Sequence, residues 1–247
     1  MTTPQAVYAE LADAVDALDF AAPVACVYNP LRHAHQAVAL YLERFGEAPK
    51  NAVFLGMNPG PWGMVQSGIP FGDVPMVRDW MGIKVPIDVP SNQHPKRPIE
   101  GFQCKRREVS GSRFWGLIRD CYGPPEAFFR DHIVLNYCPL AFMTDTGRNL
   151  TPDKLPVAER NALQAVCDQA LVQLLRHFQP RYAIGIGNFA MQRLDSVCDP
   201  EPDLQDIAIR KILHPSPASP AANRDWAGQA ETQLREIGIT LPASRTS

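Results

Sequence analysis

The apolar stretch Ala52-Val53-Phe54-Leu55 runs without a break into Gly56-Met57-Asn58-Pro59-Gly60-Pro61-Trp62-Gly63-Met64. A short apolar run that ends in glycines and prolines reads as a buried strand breaking into a stiff turn. Glycine lets backbone approach a ligand closely, and proline fixes the path of the turn. In an open α/β sheet, ligands bind in the crevice outside the carboxyl ends of the strands. Asn58, the polar side chain in the middle of this turn, is therefore the first candidate functional residue.

Strand patterns recur at residues 132–138, 182–187 and 207–213. Between and around them lie helical patterns. Val7, Leu11, Val15 and Leu18 share one helix face, and a second helix is expected over 35–45 and a third over 112–122. Thr151-Pro152 reads as the cap and first position of a helix reaching about residue 178. Another helix follows from about Phe189, and Ser219-Pro220 opens a last one that stops at Gly238. A short helix holds Met76, Val77 and Trp80, with Asp73 as its expected cap, and the proline-rich stretch 84–101 reads as irregular surface. Strands alternating with helices predict a mostly parallel sheet covered on both faces, an α/β fold of three layers. A chain of 247 residues, 45% hydrophobic, suits one domain. Residues 1–20 and 240–247 are expected to be peripheral to it.

The formal net charge of −2 argues against binding a polyanion through bulk charge. A local exception is the stretch 94–113, where Lys96, Arg97, Lys105, Arg106, Arg107 and Arg113 face only Glu100 and Glu108. A solvated loop explains such a run unless it borders a pocket, where phosphate contact becomes its use. No apolar run is long enough to span a membrane, and the first residues lack the basic start of a signal peptide. The six cysteines are scattered with no Cys-x-x-Cys pair, so no metal site and no cofactor is expected. With no secretory signal, reduced thiols in a cytosol are the expected state of the chain. Its Asn149-Leu150-Thr151 sequon would then go unused.

Asn136 lies inside the second strand pattern and His214 follows the fourth. In a parallel sheet both would share an edge with Asn58. Asn136 is either a sheet-edge or backbone-bonded amide, or a reader of a nucleobase edge, since an amide offers donor and acceptor together. His214 is either a turn residue or part of a site, with the stiff Pro215-Ser216-Pro217 leading into a helix N-terminus that favours phosphate. Phe71, between Pro70 and Gly72, is either core or a stacking wall for a flat base.

Taken together these residues resemble the single-strand-selective monofunctional uracil-DNA glycosylases, a branch of the uracil-DNA glycosylase superfamily. Residues 56–64, continued to Gly68-Ile69-Pro70-Phe71-Gly72, resemble the first motif of that family, and His214-Pro215-Ser216-Pro217 resembles the other. Between them Glu108-Val109-Ser110-Gly111-Ser112-Arg113-Phe114-Trp115, Asn136-Tyr137-Cys138-Pro139-Leu140 and Gly147-Arg148-Asn149-Leu150-Thr151-Pro152 follow in family order. The pairing of Asn58 with His214 picks out this branch. The resemblance implies a three-layer α/β/α sandwich around a roughly four-stranded parallel sheet. It implies hydrolysis of the N-glycosidic bond of uracil and of 5-substituted uracils such as 5-hydroxymethyluracil in DNA, leaving an abasic site for base excision repair.

By the same resemblance Asn58 positions the attacking water and His214 stabilises the leaving base. Asn136 reads the base edge, Phe71 stacks on it, and Gly60 and Met64 lie near its C5 position. Pro59, Ser110, Arg113, Ser216, Pro217 and Ala218 are the expected DNA contacts. Ala218 stands where the family often has a wedging arginine, which bears on strand opening. The implied partner is uracil-containing DNA, single-stranded and double-stranded, taken by a monomer in a bacterial cytoplasm, or in a nucleus if the chain is eukaryotic. Shifted specificity towards xanthine or hypoxanthine, a silent lesion-binding or abasic-DNA-binding protein, and an unrelated α/β enzyme with a chance Asn-Pro-Gly loop are the competing readings. An amide in place of an aspartate withholds general-base help, so a slower enzyme than an Asp-bearing relative is expected.

Overall fold

The computed structural model describes residues 2–242. The expected frayed tail, Pro242 to Ser247, falls outside the described residues from position 243 on. The central sheet has four strands: β2 (Ala52–Gly56), β3 (His132–Asn136), β6 (Tyr182–Ile186) and β7 (Ala208–Ile212). Their order is β3-β2-β6-β7 and every pairing is parallel. All five residues of β2, β3 and β6 are buried, as strands covered on both faces must be. The expected strands agree with these in place and type, with ends trimmed by one or two residues.

Nine α-helices surround the sheet among the described residues. They are α1 (Pro4–Asp16), α2 (Pro30–His33), α3 (His35–Phe45), α4 (Met64–Ser67), α5 (Val109–Tyr122), α6 (Pro125–Phe129), α7 (Val157–Phe178), α8 (Asn188–Cys198) and α9 (Pro220–Ile237). One group joins α5 to α6 and α9, and another joins α7 to α1 and α8. Thr3 caps α1 by accepting from Ala6 N, and Ser219 caps α9 by accepting from Ala222 N. The helix α1, expected to be peripheral, buries Val7, Leu11 and Val15 in the main core. An aromatic cluster fills one side of that core, where Phe45 stacks on Phe129 at 4.0 Å and Trp115 meets Phe129 at 5.6 Å.

Two expectations about local structure need correction. The helix expected from Thr151 is a single 3-10 turn at Pro152–Lys154, and α7 begins only at Val157. Pro156 forces Leu155 into an extended conformation (ψ 153°), which breaks the helix there. Asp73 does not cap the short helix behind it. Fully buried, its carboxylate takes Arg107 Nη2 at 2.7 Å and Glu108 N at 2.9 Å. Beside the parallel sheet there is also a small antiparallel one that the sequence pattern does not announce. It pairs β1 (Cys26–Tyr28), β4 (Ala141–Met143) and β5 (Asn149–Leu150), strands too short for a periodic signal.

Candidate active site

Parallel pairing puts the carboxyl ends of β2, β3 and β7 on one edge, and a cavity of about 370 Å³ opens there. It is lined by Met57, Asn58, Gly60, Pro61, Met64, Phe71, Glu108, Ser110, Asn136, Asn149, Thr151, His214 and Ser216. Eight of the expected site residues therefore meet in one place: Asn58, Gly60, Met64, Phe71, Ser110, Asn136, His214 and Ser216. Four stand outside the lining. Pro59 is buried, with its carbonyl 3.5 Å from Asn149 Nδ2. Pro217 and Ala218 are exposed on the turn before α9. Arg113 bonds Pro215 O at 3.2 Å and Asn223 Oδ1 at 2.9 Å, so it braces that turn.

Asn136 is the last residue of β3, in register with Gly56 of β2. The strand is at the sheet edge, yet the side chain is 8% exposed and bonds no backbone. Its Nδ2 lies 3.2 Å from Met64 Sδ, a weak acceptor that leaves the amide's donor capacity for a ligand. A Cβ on Gly56 would overlap Asn136 Oδ1 and sit 2.7 Å from Phe71 Cε2, so the strand end must be glycine for both side chains to fit.

Phe71 adopts φ +54°, a left-handed conformation rare for a bulky residue and found where surroundings over-determine it. Its ring stacks on Phe114 (centroids 5.3 Å, 24° between planes) and tilts against His214 at 5.8 Å. Asn58 donates Nδ2 to Leu140 O at 3.3 Å, and its Oδ1 has no partner among the described residues.

His214 is held through its neighbours. Leu213 N donates to Gln233 Oε1 at 2.7 Å and Leu213 O accepts from Trp226 Nε1 at 2.7 Å, both from α9. Arg113 fixes Pro215 from the other side. Burial alone lowers the His214 pKa to about 4, so the ring is neutral at ordinary pH and offers one N–H donor.

Five further residues of the family-like motifs, Met57, Pro61, Glu108, Asn149 and Thr151, line the cavity although the sequence reading gives them no part in the site. Glu108 caps α5, its Oε2 accepting from Gly111 N at 2.5 Å, while Oε1 bonds nothing among the described residues. Its Cγ lies 2.6 Å from where a Gly63 Cβ would be, and its Oε1 lies 3.5 Å from where a Gly60 Cβ would be. Burial, with Asp73 nearby, raises its pKa to about 7. In the sequence Glu108 is marked only as the first residue of the family-like stretch 108–115, ahead of the helix expected from 112. Asn149 Oδ1 is buried without a partner. Among the described residues no three His, Cys, Asp or Glu side chains group as a metal site.

The fold and the pocket define an α/β protein with a cavity at the carboxyl edge of its sheet, walled by a buried amide, an aromatic face and a neutral imidazole. Comparison with known proteins narrows this class. A sequence profile described as the uracil DNA glycosylase superfamily matches residues 43–235. The single-strand selective monofunctional uracil DNA glycosylase of Bos taurus is 44% identical over 230 residues, 93% of this chain and 84% of that protein. The protein of the same name from Mus musculus is 44% identical over 223 residues, 90% of this chain and 79% of its own length. The crystal structure of wild-type Pedobacter heparinus SMUG2 superposes with a TM-score of 0.64 at 18% identity, covering 92% of this chain and 98% of that one, a likeness of fold. The chain belongs to the uracil DNA glycosylase superfamily, in its single-strand-selective monofunctional branch.

Proposed function

We propose that the protein is a monofunctional DNA glycosylase that hydrolyses the N-glycosidic bond of uracil and 5-substituted uracils in DNA and leaves an abasic site. The observation that carries this reading is the convergence of Asn58, Phe71, Asn136 and His214 on one cavity at the sheet edge. The target sugar carbon is buried in a stack, so the nucleotide must be extruded or arrive in a single strand, and extrusion costs a few kcal/mol. Phe71 gives the extruded base a stacking face, and Asn136 gives its polar edge a donor and an acceptor. As the bond breaks, positive charge grows on the sugar and negative charge on the base, shared onto O2. A fixed donor at O2 stabilises that anion more than the neutral base, which lowers the barrier. His214 is that donor. Its low pKa favours a neutral ring that enters the reaction already poised as a hydrogen-bond donor.

The sugar cation needs only a weak nucleophile, so a water held by Asn58 Oδ1 suffices. No lysine lines the cavity, which supports hydrolysis over a Schiff base and keeps the strand intact. Both single-stranded and double-stranded DNA are substrates in this reading, and single strands are favoured because Ala218 offers no wedge. The test uses a labelled single-stranded oligonucleotide carrying one uracil, incubated with the protein or its Asn58→Ala variant and then treated with hot alkali. Strand breaks that require both alkali and Asn58 establish the activity. Intact strands from folded wild-type protein reject uracil in single strands as the substrate, and the assay then passes to 5-hydroxymethyluracil, xanthine and hypoxanthine.

A further inference from the structure

The basic stretch of the sequence is fastened to the mouth of the cavity. Residues 94–107 hold Lys96, Arg97, Lys105, Arg106 and Arg107 against the single acid Glu100. Gln66, fully buried, ties this segment to the first loop. Its Nε2 donates to Pro61 O and to Pro98 O, each at 3.0 Å, and its Oε1 accepts from Glu100 N at 2.8 Å and Gly101 N at 3.1 Å. The Tyr28 hydroxyl donates to Arg97 O at 2.6 Å. A proline-rich stretch that reads as loose surface is thus a fixed wall beside the pocket.

Two guanidinium groups share one aromatic ring on that wall. Arg106 Cζ lies 4.4 Å and Arg97 Cζ 5.0 Å from the ring centroid of Trp62, which follows the cavity-lining Pro61. Arg148 is exposed and next in the chain to a residue packed on this wall. The residue before it, Gly147, packs on Lys96, whose Cβ is 3.2 Å from where a Gly147 Cβ would be, and the residue after it, Asn149, lines the cavity. Arg107 is engaged by the buried Asp73, but none of Lys96, Arg97, Arg106 and Arg148 forms an ion pair among the described residues. In a chain of net charge −2 this is an uncompensated cationic ridge. Like charges gathered on one ring repel each other, and cation–π contact offsets that only in part. An anion laid between them removes the repulsion.

We propose that Arg97 and Arg106, held on Trp62 with Lys96 and Arg148 beside them, form a track for the phosphodiester backbone of single-stranded DNA where it leaves the pocket on the first-loop side. The inference rests on the reading that the cavity takes a DNA nucleotide. The phosphates flanking that nucleotide are the anions nearest the mouth. Ser110 and Ser216 line the cavity from α5 and from the turn before α9, so a strand crossing the mouth passes from them to Trp62. Guanidinium groups suit this use because they bind phosphate through planar paired donors.

The test measures binding of a labelled single-stranded 15-nucleotide strand with a central uracil across a salt series, in a protein carrying Asn58→Ala so that the strand persists. Removing one phosphate-binding cation lowers the salt slope of log K by about 0.7 for a single strand. Arg106→Gln, at an exposed position, is expected to lower the slope by about 0.7, and Arg97→Gln with Arg106→Gln by about 1.4, with roughly tenfold weaker binding at low salt. Arg181→Gln, at the amino-terminal end of β6 and far from the mouth, is expected to leave both unchanged. Unaltered slopes in the Arg106 and double variants overturn the track. Base release by the Asn58-containing parent is measured alongside. If the parent releases uracil while the variants keep the parental slope, the track alone fails; if it neither releases base nor binds the strand, the functional reading fails with it.

Discussion

Gly56 and Asn136 are register partners at the ends of β2 and β3, and the Asn136 side chain occupies the space that a Cβ on Gly56 would need. The sheet thus ends in a notch, and the amide and the Phe71 ring both sit in it. The placement of both side chains therefore depends on the absence of one methyl group in the adjacent strand.

Gly56→Ala is expected to displace both side chains, since the new methyl meets Phe71 Cε2 at 2.7 Å and overlaps the Asn136 amide. Overpacking of this kind costs about 1–3 kcal/mol. Urea unfolding should register that loss, and KM for a uracil-containing strand should rise by roughly tenfold, the loss of one good polar contact. A folded variant with wild-type KM would show that the notch is not what positions Asn136.

His214→Ala tests the imidazole in two ways. Loss of a fixed donor at the developing anion lowers kcat by roughly a hundredfold to a thousandfold. Stability should respond as well. The folded pKa of about 4 lies below the ordinary histidine value of 6.5, so between these pH values the unfolded chain binds the extra proton. Stability contributed by the neutral ring is full above 6.5 and is lost as pH falls towards 4. The variant should therefore unfold with a shallower pH dependence in that window, by up to about 1.4 kcal/mol per pH unit. His132, buried with a pKa lowered to about 4, keeps its own share of the slope in both proteins.

Glu108 sets the alkaline side. With a pKa raised to about 7 it is neutral below that pH and a carboxylate above it. A negative charge on the cavity wall opposes a base that is itself becoming an anion. The buried Asp73 adds to that charge, while Arg107, bonded to Asp73, offsets it. Measured kcat/KM should therefore decline above about pH 7, and Glu108→Gln, which keeps an oxygen for the Gly111 cap, should flatten the decline. Identical alkaline limbs in the two proteins would remove Glu108 from the account.

Much of the fold and the site is legible in the chain. The apolar runs of β2, β3 and β6 are unbroken because both faces of the sheet are covered, and that places their carboxyl ends, and hence Asn58 and Asn136, on one edge. The His214 turn is legible because His214-Pro215-Ser216-Pro217 stops the strand pattern, although β7 itself is partly exposed. What escapes a linear reading is non-local. Glu108 reaches the cavity because α5 begins at Val109, beside the first loop and ahead of the expected start at 112, and a local pattern cannot say what lies next to that start. Asp73 reads as a cap because its acceptor chemistry is the same for a helix start and for Arg107. The ridge on Trp62 depends on Gln66 joining segments more than thirty residues apart, as its bonds to Glu100 and Gly101 do.

The strand end behind Asn136 is braced by its neighbour. The Tyr137 hydroxyl donates to Asp168 Oδ1 at 2.7 Å, and Asp168 also pairs with Arg193. Tyr137→Phe leaves that carboxylate oxygen without its donor, a loss of about 1–3 kcal/mol that a shift in the urea midpoint would show. An unshifted midpoint would mean that water replaces the hydroxyl without cost.

In the proposed reading Ala218 bears on strand opening. It is exposed beyond the cavity lining on the turn before α9, with its N–H donating to Ser216 Oγ at 3.1 Å. The backbone there is fixed, but a methyl group cannot fill the gap left by an extruded base, so the few kcal/mol of unstacking in a duplex go uncompensated. A single strand does not bear the full cost. Ala218→Arg supplies a long planar side chain at the same place and adds a positive charge facing phosphate. It should raise kcat/KM on a uracil-containing duplex by about tenfold, the value of roughly 1.4 kcal/mol in the opening step, and raise it much less on a single strand. Equal gains on both substrates would point to added charge alone, which acts on any phosphate backbone. No gain on the duplex would mean that opening is not limited at position 218.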